Sequence, residues 1–166
     1  MNIRSESISD VAEIEALTEE AFREAPHTSH TEQFIVNALR KAGKLSVSLV
    51  AVVDGEIVGH VAVSPISVSD SSKGWFGLGP ISVSPKHQKK GIGTKLMEEA
   101  ITELKQLGAS GCVLLGDPHF YDRFGFKVIP GLVLPDVPPE YFQALPLNAE
   151  IPKGKATYHD AFNAQS

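Results

Sequence analysis

Gly91 and Gly93 stand two residues apart in the stretch SPKHQKKGIGTKLMEEA, Ser84 to Ala100, directly behind His87, Gln88, Lys89 and Lys90 and directly ahead of an apolar pattern of helical period. The first N–H groups of a helix lack intrahelical partners, and the helix dipole adds about half a positive charge at that end. A phosphate group satisfies both. Glycine removes the Cβ that would hold phosphate oxygens away, while Lys89 and Lys90, with Gln88 or His87, supply charge and reach. The same residues would also suit an ordinary helix entry behind a solvated basic loop. Two nucleotide motifs fit less well: no Gly-Lys-Ser/Thr closes a P-loop, and a dinucleotide fingerprint needs a glycine where Gln88 stands.

The surrounding pattern shows what must position this turn. A short strand is expected around Ile3 to Glu6, then a helix capped by Ser9 or Asp10, with Asp10 and Glu13 at capping-box spacing and Val11, Ile14, Leu17 and Ala21 at helical intervals. APHTSH, Ala25 to His30, breaks that pattern. A second helix from about Thr31 should bury Phe34, Ile35, Ala38 and Leu39 and stop before Gly43. Two strand runs, Ser46 to Val53 and Glu56 to Val68, meet at Asp54-Gly55, a strong hairpin signal.

A third antiparallel strand is expected from Trp75 to Val83, weakened by Gly77, Gly79 and Pro80, so that it kinks, bulges or splits from a neighbour. The helix after the glycines carries Ile92, Leu96, Met97, Ala100, Ile101, Leu104 and Leu107 on one face and ends at Gly108. Gly111 to Leu115 must then return parallel to the strand before the helix. DPHFYDRFGF, Asp117 to Phe126, reads as a short helix or turn and another strand. Beyond it six prolines from Pro130 to Pro152 suggest an irregular tail over the sheet, closing with a strand near Thr157 and Tyr158.

LGPISVSPKHQKKGIGTKLMEEA resembles the central motif of the GCN5-related N-acetyltransferase (GNAT) superfamily, whose phosphate loop reads Gln/Arg-x-x-Gly-x-Gly/Ala between a strand and a helix; here that is Gln88 to Gly93. FYDRFGF is similar to a later motif of the same superfamily. GEIVGHVAVSP, LGD before FYDRFGF, and the terminal YHDAF resemble most the bacterial YhbS-like group. The resemblance covers most of the chain outside the Pro-rich tail.

It implies an α/β (mixed α+β) fold: a central mixed, mostly antiparallel sheet flanked by helices, with a strand-helix-strand crossover carrying the phosphate loop. It also implies one N-acetyltransferase domain over 1–166, divided into an N-terminal strand and two helices (1–45), an acyl-coenzyme A core (46–126) and a C-terminal segment packed on the sheet (127–166). Acetyl-coenzyme A would lay its pyrophosphate on the amides of Gln88, Lys89, Lys90, Gly91, Ile92, Gly93 and Thr94. Its pantetheine arm would run beside Ile81, Ser82 and Val83, and its thioester would arrive near Phe120 and Tyr121.

Direct transfer to an amine needs an uncharged nucleophile and a protonated or stabilised leaving thiolate. An amine of pKa ~10.4 is neutral in only about one molecule in two thousand at pH 7, a handicap of roughly 4–5 kcal/mol. By the resemblance, Tyr121 would protonate the sulfur; packed beside Phe120, Phe124 and Phe126, it could instead be an aromatic of the core. His60, Glu32 or a water relay would serve as base, although His60 also suits a strand histidine with one hydrogen bond and Glu32 an exposed carboxylate. Asp117-Pro118 is a helix start rather than a base, which leaves His119 beside the tyrosine. The six histidines, among them His27, His30, His119 and His159, show no His-x-x-x-His spacing, so no metal is expected.

A formal net charge of -5 argues against nucleic acid held by a global positive field. Cys112, the one cysteine, excludes an intrachain disulfide and reads as an inert core residue in a reducing, cytoplasmic setting. The N-terminus lacks the apolar core of a signal peptide, and no run approaches the ~20 apolar residues that span a bilayer. The expected partners are acetyl-coenzyme A and an amine acceptor whose identity stays open, with the first two helices, the APHTSH loop and the tail as its walls. An apolar edge in the tail would cover this protein's own sheet or pair with a second copy in a homodimer. A non-catalytic acyl-coenzyme A sensor, another acyl donor or a hydroxyl acceptor remain alternatives.

Overall fold

Alternating and three-to-four-residue apolar spacings become strands and helices in the order the sequence suggests. The computed structural model describes residues 1–26 and 28–166; His27, part of the expected APHTSH wall, lies outside the described residues. The chain runs β1 (Asn2–Ser5), α1 (Val11–Phe22), α2 (Glu32–Lys41), β2 (Val47–Val53), β3 (Glu56–Pro65), β4 (Ser67–Val68), β5 (Trp75–Val83), α3 (Ile92–Gln106), β6 (Gly111–Leu115), α4 (Pro118–Tyr121), β7 (Leu132–Val133), β8 (Phe142–Pro146) and β9 (Gly154–Thr157). Six strands form one sheet in the order β1-β2-β3-β5-β6-β8, and β4, β9 and β7 form a small second one. Only the β5–β6 pair of the main sheet is parallel, because α3 must cross over between them.

The β2–β3 hairpin turns at Asp54 and Gly55, both at positive φ (50° and 80°), as a two-residue turn matched to strand twist requires. β2 and β3 read as near-continuous apolar runs because both faces are covered. On one face α3 buries Leu96, Met97, Ala100 and Leu104 completely against Leu49, Val61, Val63 and Cys112. Each buried leucine, valine or methionine among them contributes about 1.5–3 kcal/mol. On the other face α1 and α2 close Ile14, Leu17 and Val36 over Val50 and Ala62. Among the described residues no helix is long and apolar enough to cross a membrane.

Several local expectations change. The first strand begins at Asn2, one residue early. The capping box is Ser7 with Asp10, not Asp10 with Glu13: the Asp10 carboxylate accepts from the Ser7 N–H at 2.7 Å, and Glu13 instead accepts from the Ile57 N–H at 2.9 Å. In α2 the buried stripe is Gln33, Ile35, Val36 and Leu39, while Phe34 and Ala38 are half-buried. Leu107 is 56% exposed, since the helix ends at Gln106 and the chain turns away at Gly108. After FYDRFGF the chain makes a single bridge, Lys127 to Ala144, rather than a strand. The tail does more than lie over the sheet: β8 joins it as an edge strand against β6, with Pro146 at its last position, where proline's missing donor costs least.

Candidate active site

The parallel ladder between β5 and β6 covers only Trp75, Phe76 and Gly77. From Leu78 to Val83 β5 keeps its partner β3 but has none on the β6 side. Gly79, at φ +132°, and Pro80, which has no N–H to donate, stand where the two strands part. The register with β3 also slips there, between Val61 and Val63. The weak strand chemistry therefore becomes a split, which leaves backbone groups of β5 facing an opening.

That opening is a cleft of about 470 Å³. The head of α3 lines it with Gln88, Lys89, Gly91, Ile92, Gly93 and Thr94, β5 with Ile81 and Val83, and the α4 region with Phe120 and Tyr121. Gly91 is the N-cap of α3 in the left-handed conformation (φ +83°), and a Cβ built there meets nothing within 4 Å. At Gly93 a Cβ would stand 3.8 Å from Val83 Cγ2 and 4.0 Å from Phe120 Cζ, across the mouth of the cleft. The first ring of the helix closes from the Lys95 N–H to the Gly91 carbonyl at 3.1 Å, so the amides of Ile92, Gly93 and Thr94 lack intrahelical acceptors. The Gln88 side chain donates to the Val83 carbonyl at 3.3 Å, tying the loop to the strand.

Ser82 and Lys90 do not line the cleft. Ser82 alternates to the opposite face of β5 and is buried, and Lys90 is exposed outside it. Two lining residues carried less weight in the sequence. His87 contributes a buried Nδ1 without a partner among the described residues. Arg123 lines the cleft with its guanidinium 4.6 Å from the centre of the Phe120 ring, a cation–π contact. The one-turn spacing from Phe120 to Arg123 was the available signal for it.

Tyr121 follows from Asp117 and Gly116. The Asp117 carboxylate accepts from the His119 N–H at 2.9 Å and caps α4, as Asp117-Pro118 suggests. Gly116 leaves the space the tyrosine ring fills, since a Cβ there would collide with Tyr121 Cε2. The ring packs edge-on to Phe120 at 4.9 Å and to Phe126 at 6.3 Å. Burial, and then the Asp117 charge, raise its phenol above the usual value, so it keeps its proton at neutral pH. It thus packs as an aromatic against the core and lines the cleft with a phenol that keeps its proton.

The other candidates lie outside this cleft. His60 is fully buried on the α1/α2 face; its Nε2 is 2.8 Å from Ser48 Oγ, and burial pushes the imidazole down to about 4 against the pull of Glu6. Glu32 opens α2, accepting from Thr28 Oγ1 at one oxygen and leaving the other buried without a partner among the described residues. His30 and His119 are exposed, and the His159 ring accepts from the Ala161 N–H. Cys112 is buried, its thiol pushed up to about 12 by desolvation. Among the described residues no three His, Cys, Asp or Glu side chains group as metal ligands.

Comparison with known proteins identifies the family. Residues 11–126 match the family model described as acetyltransferase (GNAT) family. The chain is 36% identical over 129 residues to the uncharacterized N-acetyltransferase YhbS of Escherichia coli strain K12, covering 77% of this chain and 74% of that one. It is similar to a crystal structure of a GNAT family acetyltransferase from Brucella melitensis in complex with acetyl-CoA, at 46% identity and a TM-score of 0.87 over 97% of each chain. It is also similar to the structure of Escherichia coli YhbS in complex with CoA, at 32% identity and a TM-score of 0.89 over 99% of this chain and 93% of that one. With a split parallel pair, a glycine-headed crossover helix and a family match across the residues that build both, this chain belongs to the acetyltransferase (GNAT) family.

Proposed function

We propose that this acetyltransferase moves an acetyl group from acetyl-coenzyme A directly to a primary amine in a ternary complex. The observation that carries the reading is convergence: the unpartnered amides of α3, the unpaired half of β5 and the Tyr121 ring meet in one cleft. The anionic pyrophosphate belongs on the amides of Gly91 to Thr94, with Lys89 and Arg123 close by, and the amide-bearing pantetheine arm belongs along Ile81 to Val83. The acetyl-CoA and CoA complexes of the Brucella and Escherichia coli proteins support a coenzyme A-type cosubstrate. Tyr121 gives its proton to the departing sulfur, a role suited to a phenol that burial keeps protonated. A cytoplasmic setting would keep the buried Cys112 reduced.

The test is thiol release from acetyl-coenzyme A with polyamines, amino acids, aminoglycosides and basic peptides, for wild type beside Tyr121→Phe. Wild type releases thiol only with an acceptor present; the variant binds coenzyme A equally well and loses about 10²–10⁴ in kcat. Equal turnover in the variant would make Tyr121 a packing residue. Binding without release for any acceptor or acyl donor would turn the reading toward an acyl-coenzyme A sensor.

A further inference from the structure

Beneath α1 and α2 the sheet carries polar side chains that the cleft does not use. His60 and Ser82 are directly opposed across the antiparallel β3–β5 pair, so their side chains share a face, the one Ile81 and Val83 turn away from. His60 is fully buried and Ser82 is 3% exposed. Among the described residues, His60 Nδ1 and Ser82 Oγ are both buried without any hydrogen-bond partner. Ser82 lies on the half of β5 whose other edge is open, beside the path assigned to the thioester, and His60 lies one strand further in, on β3.

The partners of the opposite ring nitrogen decide which nitrogen carries the proton. Arg40 donates two hydrogen bonds to Glu6, at 2.8 and 2.7 Å, which with Ser48 outweigh burial and hold the carboxyl below its usual range. A carboxylate only accepts, so the Ser48 hydroxyl spends its single hydrogen on Glu6. Toward His60, at 2.8 Å, Ser48 Oγ can then only accept, and Nε2 must be the donor. A neutral imidazole with its hydrogen on Nε2 presents a bare lone pair at Nδ1, the atom without a partner.

We propose that His60 is the base of the reaction, taking the amine proton at Nδ1 through one water held with Ser82 Oγ, while Ser48 and Glu6 hold the imidazole in the receptive tautomer. The inference rests on the acetyl-transfer reading above. The amine enters neutral, its first proton left in solvent. As the C–N bond forms and the C–S bond breaks, the nitrogen becomes acidic and its proton moves to Nδ1, while Tyr121 protonates the thiolate. The imidazolium has Glu6 Oε1 4.0 Å from Nε2 as its counter-charge. Proton exchange through solvent then returns imidazole and phenol to their starting forms, so the sum is amine plus acetyl-coenzyme A to amide plus coenzyme A.

The charged groups facing His60 are Glu6, from the segment after β1, and Arg40, from α2; β2 and β5 present Ser48 and Ser82. α1 buries Ile14, Leu17 and Thr18, and its Glu13 and Glu20 are engaged by the Ile57 N–H and the Ser84 hydroxyl.

Long-range ¹H–¹⁵N correlation on the full chain saturated with coenzyme A reads the tautomer without any acceptor. Hydrogen on Nε2 and a bare Nδ1 from pH 6 to 8 is the expected result; hydrogen on Nδ1, or an imidazolium at pH 7, overturns the inference. Ser48→Ala should let the Nδ1–H form appear. With spermidine, lysine methyl ester and tyramine as probes, His60→Gln should lower kcat by about 10²–10⁴ at every pH from 6 to 9 with coenzyme A affinity unchanged. A fully active His60→Gln enzyme overturns the role of His60 alone. A wild type that binds coenzyme A but acetylates none of the probes overturns the transfer reading, and the base with it.

Discussion

The cleft at the head of α3 and the polar seam beneath α1 and α2 use opposite faces of the same strand, β5, yet they are built of different material. The cleft is largely backbone: unpartnered amides, two glycines and a strand edge left open. The seam is side chains, linked from Arg40 through Glu6 and Ser48 to His60 and closed over by two helices. A backbone site suits a ligand of fixed chemistry, because amides persist whatever the neighbouring residues are. A side-chain site can be retuned by single substitutions, which suits a group whose proton is placed by its neighbours.

Breaking the cleft should have the larger effect. In Gly91→Val the β-branched residue is forced toward φ +83° and its side chain into the space assigned to phosphate. Coenzyme A affinity should fall by about 100-fold or more, ~2.7 kcal/mol, measured by calorimetry, while the far-ultraviolet dichroism stays that of wild type. Unchanged affinity would remove the phosphate from the head of α3.

The helix-covered side should respond to acid instead. Asp10 anchors the start of α1 through Arg4, at 2.7 and 3.1 Å, and through the Ser7 N–H, which together hold its carboxyl well below the usual range. Because the folded pKa is depressed, the stabilisation is present above about pH 4 and is lost as the pH falls through the folded value. Asp10→Asn should cost about 1–2 kcal/mol at pH 7, at the low end because Arg4 is 41% exposed and solvent screens it. Scanning calorimetry should show a Tm lower by roughly 2–8 °C at pH 7. The gap to wild type should narrow below pH 4; a gap constant down to pH 2 would mean that the charge contributes nothing.

The smallest effect sharpens the boundary of the cleft. Lys89 lines it and Lys90 does not. Lys89→Ala should weaken coenzyme A by about two- to fivefold at low salt, with the difference vanishing near 0.5 M salt, whereas Lys90→Ala should change little at any salt. Equal losses from both would make the loop a diffuse field rather than a contact.

Local chemistry made much of this legible. The Asp54-Gly55 hairpin, the crossover helix and the split at Gly79-Pro80 rest on rules that act within a few residues, and they stand where the sequence places them. Contacts between distant segments misled it. β8 was hidden among prolines because its burial comes from β6, about 30 residues earlier in the chain. Glu13 was read as a capping partner because nothing local shows that Ile57 would take its carboxylate.

Residue types and their spacing by themselves determined the glycine-headed helix entry behind a basic loop, the strand unable to complete its ladder and the tyrosine after a helix-start Asp-Pro, because glycine, proline and capping residues constrain the backbone wherever they occur. Only the tertiary structure decided that Arg123 joins the cleft, that Ser82 leaves it, and that His60 has one nitrogen bonded to Ser48 and the other bare. Those outcomes depend on strand register and on which helix covers which face. Register is set by the summed burial of segments far apart in sequence, and a shift of one residue would move Ser82 or His60 to the other side of the sheet.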